Sequence, residues 1–556
     1  MKTTRSFFNI LYIGILAVIL VISGCSSSNN KANEVTPTNA NAGSGNAATP
    51  TASAGTGNTN ATITMATVAD PNFNPWSPTG FVESEPITEL LFSGLTKWGL
   101  DYQPAPSLAT DWTPSEDGLT WIINLRDDVK WSDGEAFTAD DVVYTFNKIV
   151  LNKDLGAANS SNFVAVKEVT KVSDTQVKFV LTQPWSSLPN YLAWFAKILP
   201  EHIFAGHDNP WELTSFNKEN PVGTGAYVLA KYSPGQSVEL ERNPDFFEGK
   251  ANIAKIVFQI VPDMNSQVAQ MMSGSLSLLT VEDPNLLDKL KANANLTVSE
   301  VSDNNYYWAA VNQRQDRFKD VKVRQALLYA IDRDAIITGV LKGYGKPATG
   351  PIAPLQEKYY DSNVKTYEYD PAKAKELLKE AGYEEGSDGF MQKDGKVFEL
   401  NMPAGQYGVL LQTSQLVQQY WEAIGIKVDL KVMDWNTYVE KVVQNHEFDA
   451  TIAWWRAPVD PDVLAYYHSN AVDKGNNIPG YSNPAMDKLL EDGRKASTDE
   501  ERVKIYNQVQ ELTAEELPYL YLWNPNIAIA TQKSLVVPPA SIAVAENHVT
   551  EWTVQE

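Results

Sequence analysis

Two adjacent indoles beside a guanidinium, Trp454-Trp455-Arg456, are the residues of this chain best equipped for molecular recognition. They lie in Ala453-Trp454-Trp455-Arg456-Ala457-Pro458, just after the strand-like run Phe448-Asp449-Ala450-Thr451-Ile452. Concave sites between domains carry aromatic walls with a few convergent polar groups. Indole faces also suit sugar rings, and a cation at Arg456 would favour a carboxylate or a hydroxyl-rich ligand. The bland alternative is a guanidinium packed on Trp454 or Trp455, or paired with an acid. Tyr407 and Trp435 are further candidates, as is Phe81-Val82-Glu83-Ser84-Glu85, expected as a loop ahead of the first helix. Glu83 and Glu85 could be imagined as glycosidase carboxylates, but a solvated or ligand-facing loop accounts for them more simply. The chain has no G-x-S-x-G elbow, no phosphate-binding G-x-x-x-x-G-K-[ST] loop and no paired His/Cys arrangement. Its five histidines, His202, His207, His446, His468 and His548, are scattered. No enzyme, no metal site and no cofactor are therefore expected.

Cys25 is the single cysteine of 556 residues, so an intramolecular disulfide is excluded. It follows a charged start (Lys2, Arg5), an apolar run from Phe7 to Ile22 and the small residues Ser23-Gly24. That is the pattern of an export signal, too short for a membrane span. A cysteine directly after such residues resembles the lipobox of bacterial lipoproteins, in which the thiol receives a diacylglyceryl group. Residues 1–24 are expected to be removed, and 25–61, almost wholly Ser, Asn, Ala, Thr, Gly and Pro, to form a disordered lipidated tether. Its random-coil reach is on the order of 30 Å. Losing Lys2 and Arg5, and no acid, takes the formal charge from −23 to −25. Such a chain repels nucleic acid, whose binding rests on neutralising phosphates. Hydrophobic residues at 43%, with 15 Trp, 24 Tyr and 19 Phe, are ample for packed cores, and the length suggests two to four domains.

The elements that must position these residues are legible in part. Thr62 to Ala66 and Thr120 to Leu125 alternate with period two, as half-buried strands do. Thr138, with Asp140 and Asp141 behind it, is a helix cap, and Val142, Phe146 and Ile149 make the buried stripe. Asp370-Pro371 starts a second helix, Ala374, Leu377, Leu378 and Ala381 are its apolar stripe, and Gly382 ends it. A third, about 413–424, stops at Gly425. Ile426, Val428, Leu430 and Val432 then point one way, giving the helix–glycine–strand unit of an α/β domain.

Several ordered blocks resemble one family. They begin with Leu108-Ala109-Thr110-Asp111-Trp112, Asp117-Gly118-Leu119-Thr120-Trp121, Leu125-Arg126, Val129-Lys130-Trp131, Asp133-Gly134 and Thr138-Ala139-Asp140-Asp141-Val142. Pro221-Val222-Gly223-Thr224-Gly225-Ala226-Tyr227, Glu241-Arg242-Asn243-Pro244, Phe318 to Ala326 and Ala330-Ile331-Asp332-Arg333 follow. Gly350-Pro351-Ile352-Ala353-Pro354, Tyr369 to Ala374 and Gly480-Tyr481-Ser482-Asn483-Pro484 complete the set. They resemble the family 5 extracellular solute-binding proteins, the dipeptide, oligopeptide and nickel receptors of ABC importers.

The resemblance implies a two-lobed α/β periplasmic-binding-protein fold of type II with an extra third domain. Lobe I would comprise 62–103, 219–305 and 526–556, the extra domain 104–218, and the other lobe 306–525, with two hinge strands between the lobes. It implies a monomer that captures an oligopeptide and hands it to a separate permease and its ATPases. The protein would sit on the outer face of the cytoplasmic membrane, where the long tether favours a Gram-positive surface over a periplasm. By ungapped counting, Ala453 and Trp455 would offer their backbones to an extended ligand by β-augmentation. Peptide receptors place an aspartate soon after this Trp to pair the ligand's ammonium. Here the matching position is Ala457, with Asp460 displaced into Asp460-Pro461-Asp462. Losing that bond forfeits roughly 1.5–3 kcal/mol, which keeps an oligosaccharide or other non-peptide solute as the alternative.

Overall fold

The computed structural model describes residues 58–556 except 80, 282, 303–304, 457–459, 473–475, 497, 539, 541 and 556, and leaves out the side chains at 81–83, 161, 195, 436, 456, 542 and 543. The expected signal, Cys25, nearly all of the tether and Ala457 thus lie outside the described residues.

Thr62–Thr67 alternates between exposed and buried as its composition demands and pairs in parallel with Lys255–Ile260. Ser237–Arg242 and Tyr227–Ser233 complete that four-stranded sheet. A second four-stranded sheet joins Ala109–Pro114, Thr120–Leu125, Gln176–Leu181 and Val166–Ser173 in that order. Trp121, Ile123 and Leu125 are its buried face. The helix behind it opens with the expected reciprocal cap: Asp140 N donates to Thr138 Oγ1 at 3.3 Å and Thr138 N to Asp141 Oδ2 at 2.9 Å. Gly223, in the Pro-Val-Gly-Thr-Gly block, runs against the end of the first helix, Phe81–Leu91. A Cβ there would lie 2.0 Å from Leu91 O, so no side chain fits.

One strand organises the remainder. Leu520–Gln532 pairs along its first half with Asn305–Val311 and Gly345–Pro347, and along its second half with Leu278–Val281 and Leu296–Ser302. It therefore passes from one sheet into another, alongside the run from Leu296–Ser302 to Asn305–Val311, and Pro525, which has no N–H to give, lies where the pairing changes. Arg333, from the Ala-Ile-Asp-Arg block, is buried and donates to Ala348 O, Tyr521 O and Tyr367 O, riveting this strand to two loops.

The helix Pro371–Glu380 matches its expected stripe and stop, with Gly382 at φ 88°. Two expectations need correction. Residues 81–85 are not a loop but the first turn of the helix Phe81–Leu91, which begins before Pro86. Val432 is exposed: in the two-stranded ladder Glu399–Gly405 carries the buried positions, and burial along Lys427–Met433 fades after Val428.

Against the first helix a buried acid is left over. Glu89 pairs with Lys197 at 2.7 Å, whereas Glu546 Oε1 has no hydrogen-bond partner among the described residues. Burial, reinforced by the charges of Glu89 and Glu85, pushes the Glu546 carboxyl well above its ordinary value. Folding thus favours the neutral acid, and ionisation at higher pH opposes it. Glu546→Gln is expected to raise Tm at pH 8, with the gain vanishing as pH falls well below the ordinary Glu value of about 4.3, where the carboxyl is neutral in both states. Thermal unfolding across pH checks this.

Candidate functional site

Ala450–Arg456 is the last strand of the sheet that also contains Leu520–Gln532 and Asn305–Val311, and among the described residues its ladder partner is Asn305–Val311 alone. Aromatic residues suit such a pleated surface: Tyr307 lies opposite Trp454, Trp308 opposite Ala453 and Tyr306 opposite Trp455.

The ladder's hydrogen bonds decide which backbone groups are offered outward. Asn312 N donates to Asp449 O at 2.9 Å, one step beyond the Val311–Ala450 pair. Bonded and non-bonded pairs alternate in an antiparallel ladder. Thr451, Ala453 and Trp455 therefore turn inward, towards Ala310, Trp308 and Tyr306, while Ile452, Trp454 and Arg456 turn their N–H and C=O to the outer edge, beside whose beginning Glu399–Gly405 runs, with Asp449 N donating to Asn401 O at 2.9 Å. From that side Tyr438 Oη donates to Ile452 O at 3.0 Å. This corrects the expectation from ungapped counting: the edge groups are those of Trp454 and Arg456, one residue away from Ala453 and Trp455.

Three candidates far apart in sequence converge here. Tyr407 stacks on Trp454 with ring centres 5.1 Å apart and planes 13° apart, and Trp435 stacks on Trp454 at 5.2 Å and 24°. Gly405 makes room, since a Cβ there would be 3.0 Å from the Trp435 ring. Tyr407 remains 52% exposed and is the solvent face of the stack. Two residues that sequence reasoning missed extend it: Tyr307 lies 6.0 Å from Trp454, and Trp523 4.8 Å beyond Tyr307 at 16°. The run Tyr306-Tyr307-Trp308 was the available signal, but nothing local tells which ring meets which neighbour.

Two cavities flank these rings. The larger, about 520 Å³, is bounded by Tyr307, Tyr407 and Trp523 together with Asp283, Asn285 and Gln412. The smaller, about 260 Å³, runs beside the edge strand and is lined wholly by apolar and aromatic residues. Trp523 in the first wall and Trp308 in the second each bury an indole N–H with no partner among the described residues, a deficit a ligand can relieve.

Other candidates stand elsewhere. Ser84 is buried and its Oγ accepts from Asn72 N at 2.8 Å, while Glu85 is half-buried on the helix that carries Glu89. The side chains of Phe81, Glu83 and Arg456 are not described.

Asp460 is spent on structure. Arg502 Nη2 donates to both its oxygens at 2.8 and 2.9 Å, Ser187 Oγ at 2.7 Å and Asn190 Nδ2 at 2.7 Å. Asp462 similarly takes Arg494 Nε at 2.8 Å and Trp185 Nε1 at 3.3 Å. Burial works against the Arg502 charge, yet the Asp460 carboxylate holds its pKa well above the ordinary value. A carboxylate so occupied has no oxygen free for a ligand's ammonium, which corrects the ligand-contact expectation for Asp460.

A family model for bacterial extracellular solute-binding proteins, family 5 (middle part), matches residues 103–477. The chain belongs to this family. Over 479 residues it is 32% identical to the oligopeptide-binding protein AppA of Bacillus subtilis, covering 85% of this chain and 88% of that one. A solved structure of that family 5 protein in complex with a nonapeptide is similar with TM-score 0.74 and 30% identity, over 90% of this chain and 100% of that one. NikZ from Campylobacter jejuni, in complex with Ni(L-His), is similar with TM-score 0.72 and 28% identity, over 89% of this chain and 99% of that one. The fold is accordingly the two-lobed α/β fold of family 5.

Removing Asp460 would leave Arg502 buried without its counter-charge, which typically costs about 3–5 kcal/mol. Asp460→Ala is expected to lower stability by that order in denaturant unfolding. A change confined to ligand affinity would instead restore Asp460 as a ligand anchor.

Proposed function

We propose that this chain is an extracytoplasmic receptor that binds an oligopeptide in extended form along the edge of Ala450–Arg456 and delivers it to an ABC import permease. The observation that carries the reading is the outward-facing backbone of Trp454 and Arg456 beside stacked aromatic walls. An extended peptide satisfies such groups with its own N–H and C=O, whatever its sequence. The relatives named for oligopeptides, and the nonapeptide held by one of them, agree with it.

In this reading the lobes divide as 62–103, 219–305 and 526–556 against 306–525, with 104–218 as the extra domain. The strands ending at Ser302 and starting at Asn305, with 524–526 beside them, serve as the hinge, and ligand enclosure follows closure about them. Tyr407, Trp435, Trp454 and Trp455 form the wall. Diacylglyceryl on Cys25 holds the protein at the membrane, since two acyl chains on one residue anchor where one binds marginally.

The aromatic cluster, in which Trp454, Tyr407 and Trp435 touch one another and Tyr307 links Trp454 to Trp523, also suits sugar faces, which keeps an oligosaccharide receptor as the second reading. Native mass spectrometry of the purified protein separates the two: a ladder of peptide masses is expected, and hexose increments would overturn the peptide reading. For the anchor, Cys25→Ser is expected to move the protein from the membrane fraction to the medium or periplasm, measured by fractionation and immunoblot.

A further inference from the structure

The smaller cavity carries an inference that rests on the peptide reading and sharpens it. Its wall is Trp308, Trp435, Tyr438, Val439, Val443, Ala453, Trp454, Trp455 and Ile478, with no charged residue. Tyr438 Oη is already engaged with Thr451 and Ile452, and Trp455 Nε1 with Tyr519 Oη at 3.2 Å. An apolar cavity of roughly 150 Å³ stays dry and admits a benzene ring, so about 260 Å³ accommodates a large aliphatic or aromatic side chain.

Its position fixes what can enter. Ala453 and Trp455 face it from one side of the sheet, with Trp435 and Trp454 closing it at the edge, whereas Tyr307 and Tyr407 line the larger cavity towards the other side, with Asp283, Asn285 and Gln412. A peptide added to the edge of Ala450–Arg456 continues the pleat, so its successive side chains alternate between the two faces. We propose that the cavity lined by Trp308, Val439, Val443, Ala453 and Trp455 is a side-chain subsite selecting one large apolar residue of the peptide. The residues on either side of that one point to the polar cavity and are tolerated in variety. A charged side chain in this subsite would be desolvated with at most the single N–H of Trp308 to meet a carboxylate and nothing to meet an ammonium.

The test uses the processed protein and isothermal titration with alanine hexapeptides carrying a single Phe, Asp or Lys moved through each position. One position is expected to favour Phe over Ala, Asp and Lys by on the order of 10–100-fold, with flanking positions varying by less than about threefold. Ala453→Leu, which fills the cavity, is expected to bring the Phe/Ala ratio at that position near unity. Val443→Ala, which enlarges it, should shift preference from Phe towards Trp. Peptides that bind with the same Phe/Ala ratio at every position would overturn the subsite and leave the receptor reading standing. Failure of every peptide at millimolar concentration would overturn both.

Discussion

Each backbone amide and carbonyl in a sheet requires a partner, and Asn305–Val311 meets that requirement on both sides. Leu520–Gln532 saturates one edge and Ala450–Arg456 the other. The unmet bonding is thereby exported to the outer edge of Ala450–Arg456, and the alternation of the ladder assigns it to Trp454 and Arg456. An open edge is ordinarily an aggregation hazard. Here Glu399–Gly405 flanks its beginning, Tyr438 caps the carbonyl of Ile452, and aromatic rings stand beside Trp454.

Much of the scaffold was readable from local chemistry. A cap, a proline and a glycine bounded the helix Pro371–Glu380, and period-two burial marked Thr120–Leu125, because both signals are complete within a few residues. The convergence of Tyr407, Trp435 and Trp454 was readable only as a set of candidates, since their stacking depends on three separate chain segments and on Gly405. Ladder parity was not readable at all: it is set by Asn312 and Asp449 at the far end of the strand. Residues 81–85, expected as a loop, fold as helix ahead of Pro86, which lies inside the helix Phe81–Leu91.

Asp460 and Asp462 show how a recognition-like motif can be structural. They bind Arg502 and Arg494 within 306–525 and also accept from Trp185, Ser187 and Asn190 within 104–218. Asp460 and Asp462 are therefore fixed from both segments. Preorganisation of this kind limits the ordering cost on ligand capture.

The stack of rings behind the edge also has an optical consequence. Trp435 and Trp454 lie nearly parallel with centres 5.2 Å apart, and Trp523 and Tyr307 likewise at 4.8 Å. Chromophores so close and so ordered share their excited states, giving intense near-ultraviolet circular dichroism and mutually quenched emission. A solute that touches Tyr407, the exposed ring that lies against both Trp435 and Trp454, disturbs that coupling directly, so the molecule carries an intrinsic optical readout of whether its cleft is filled.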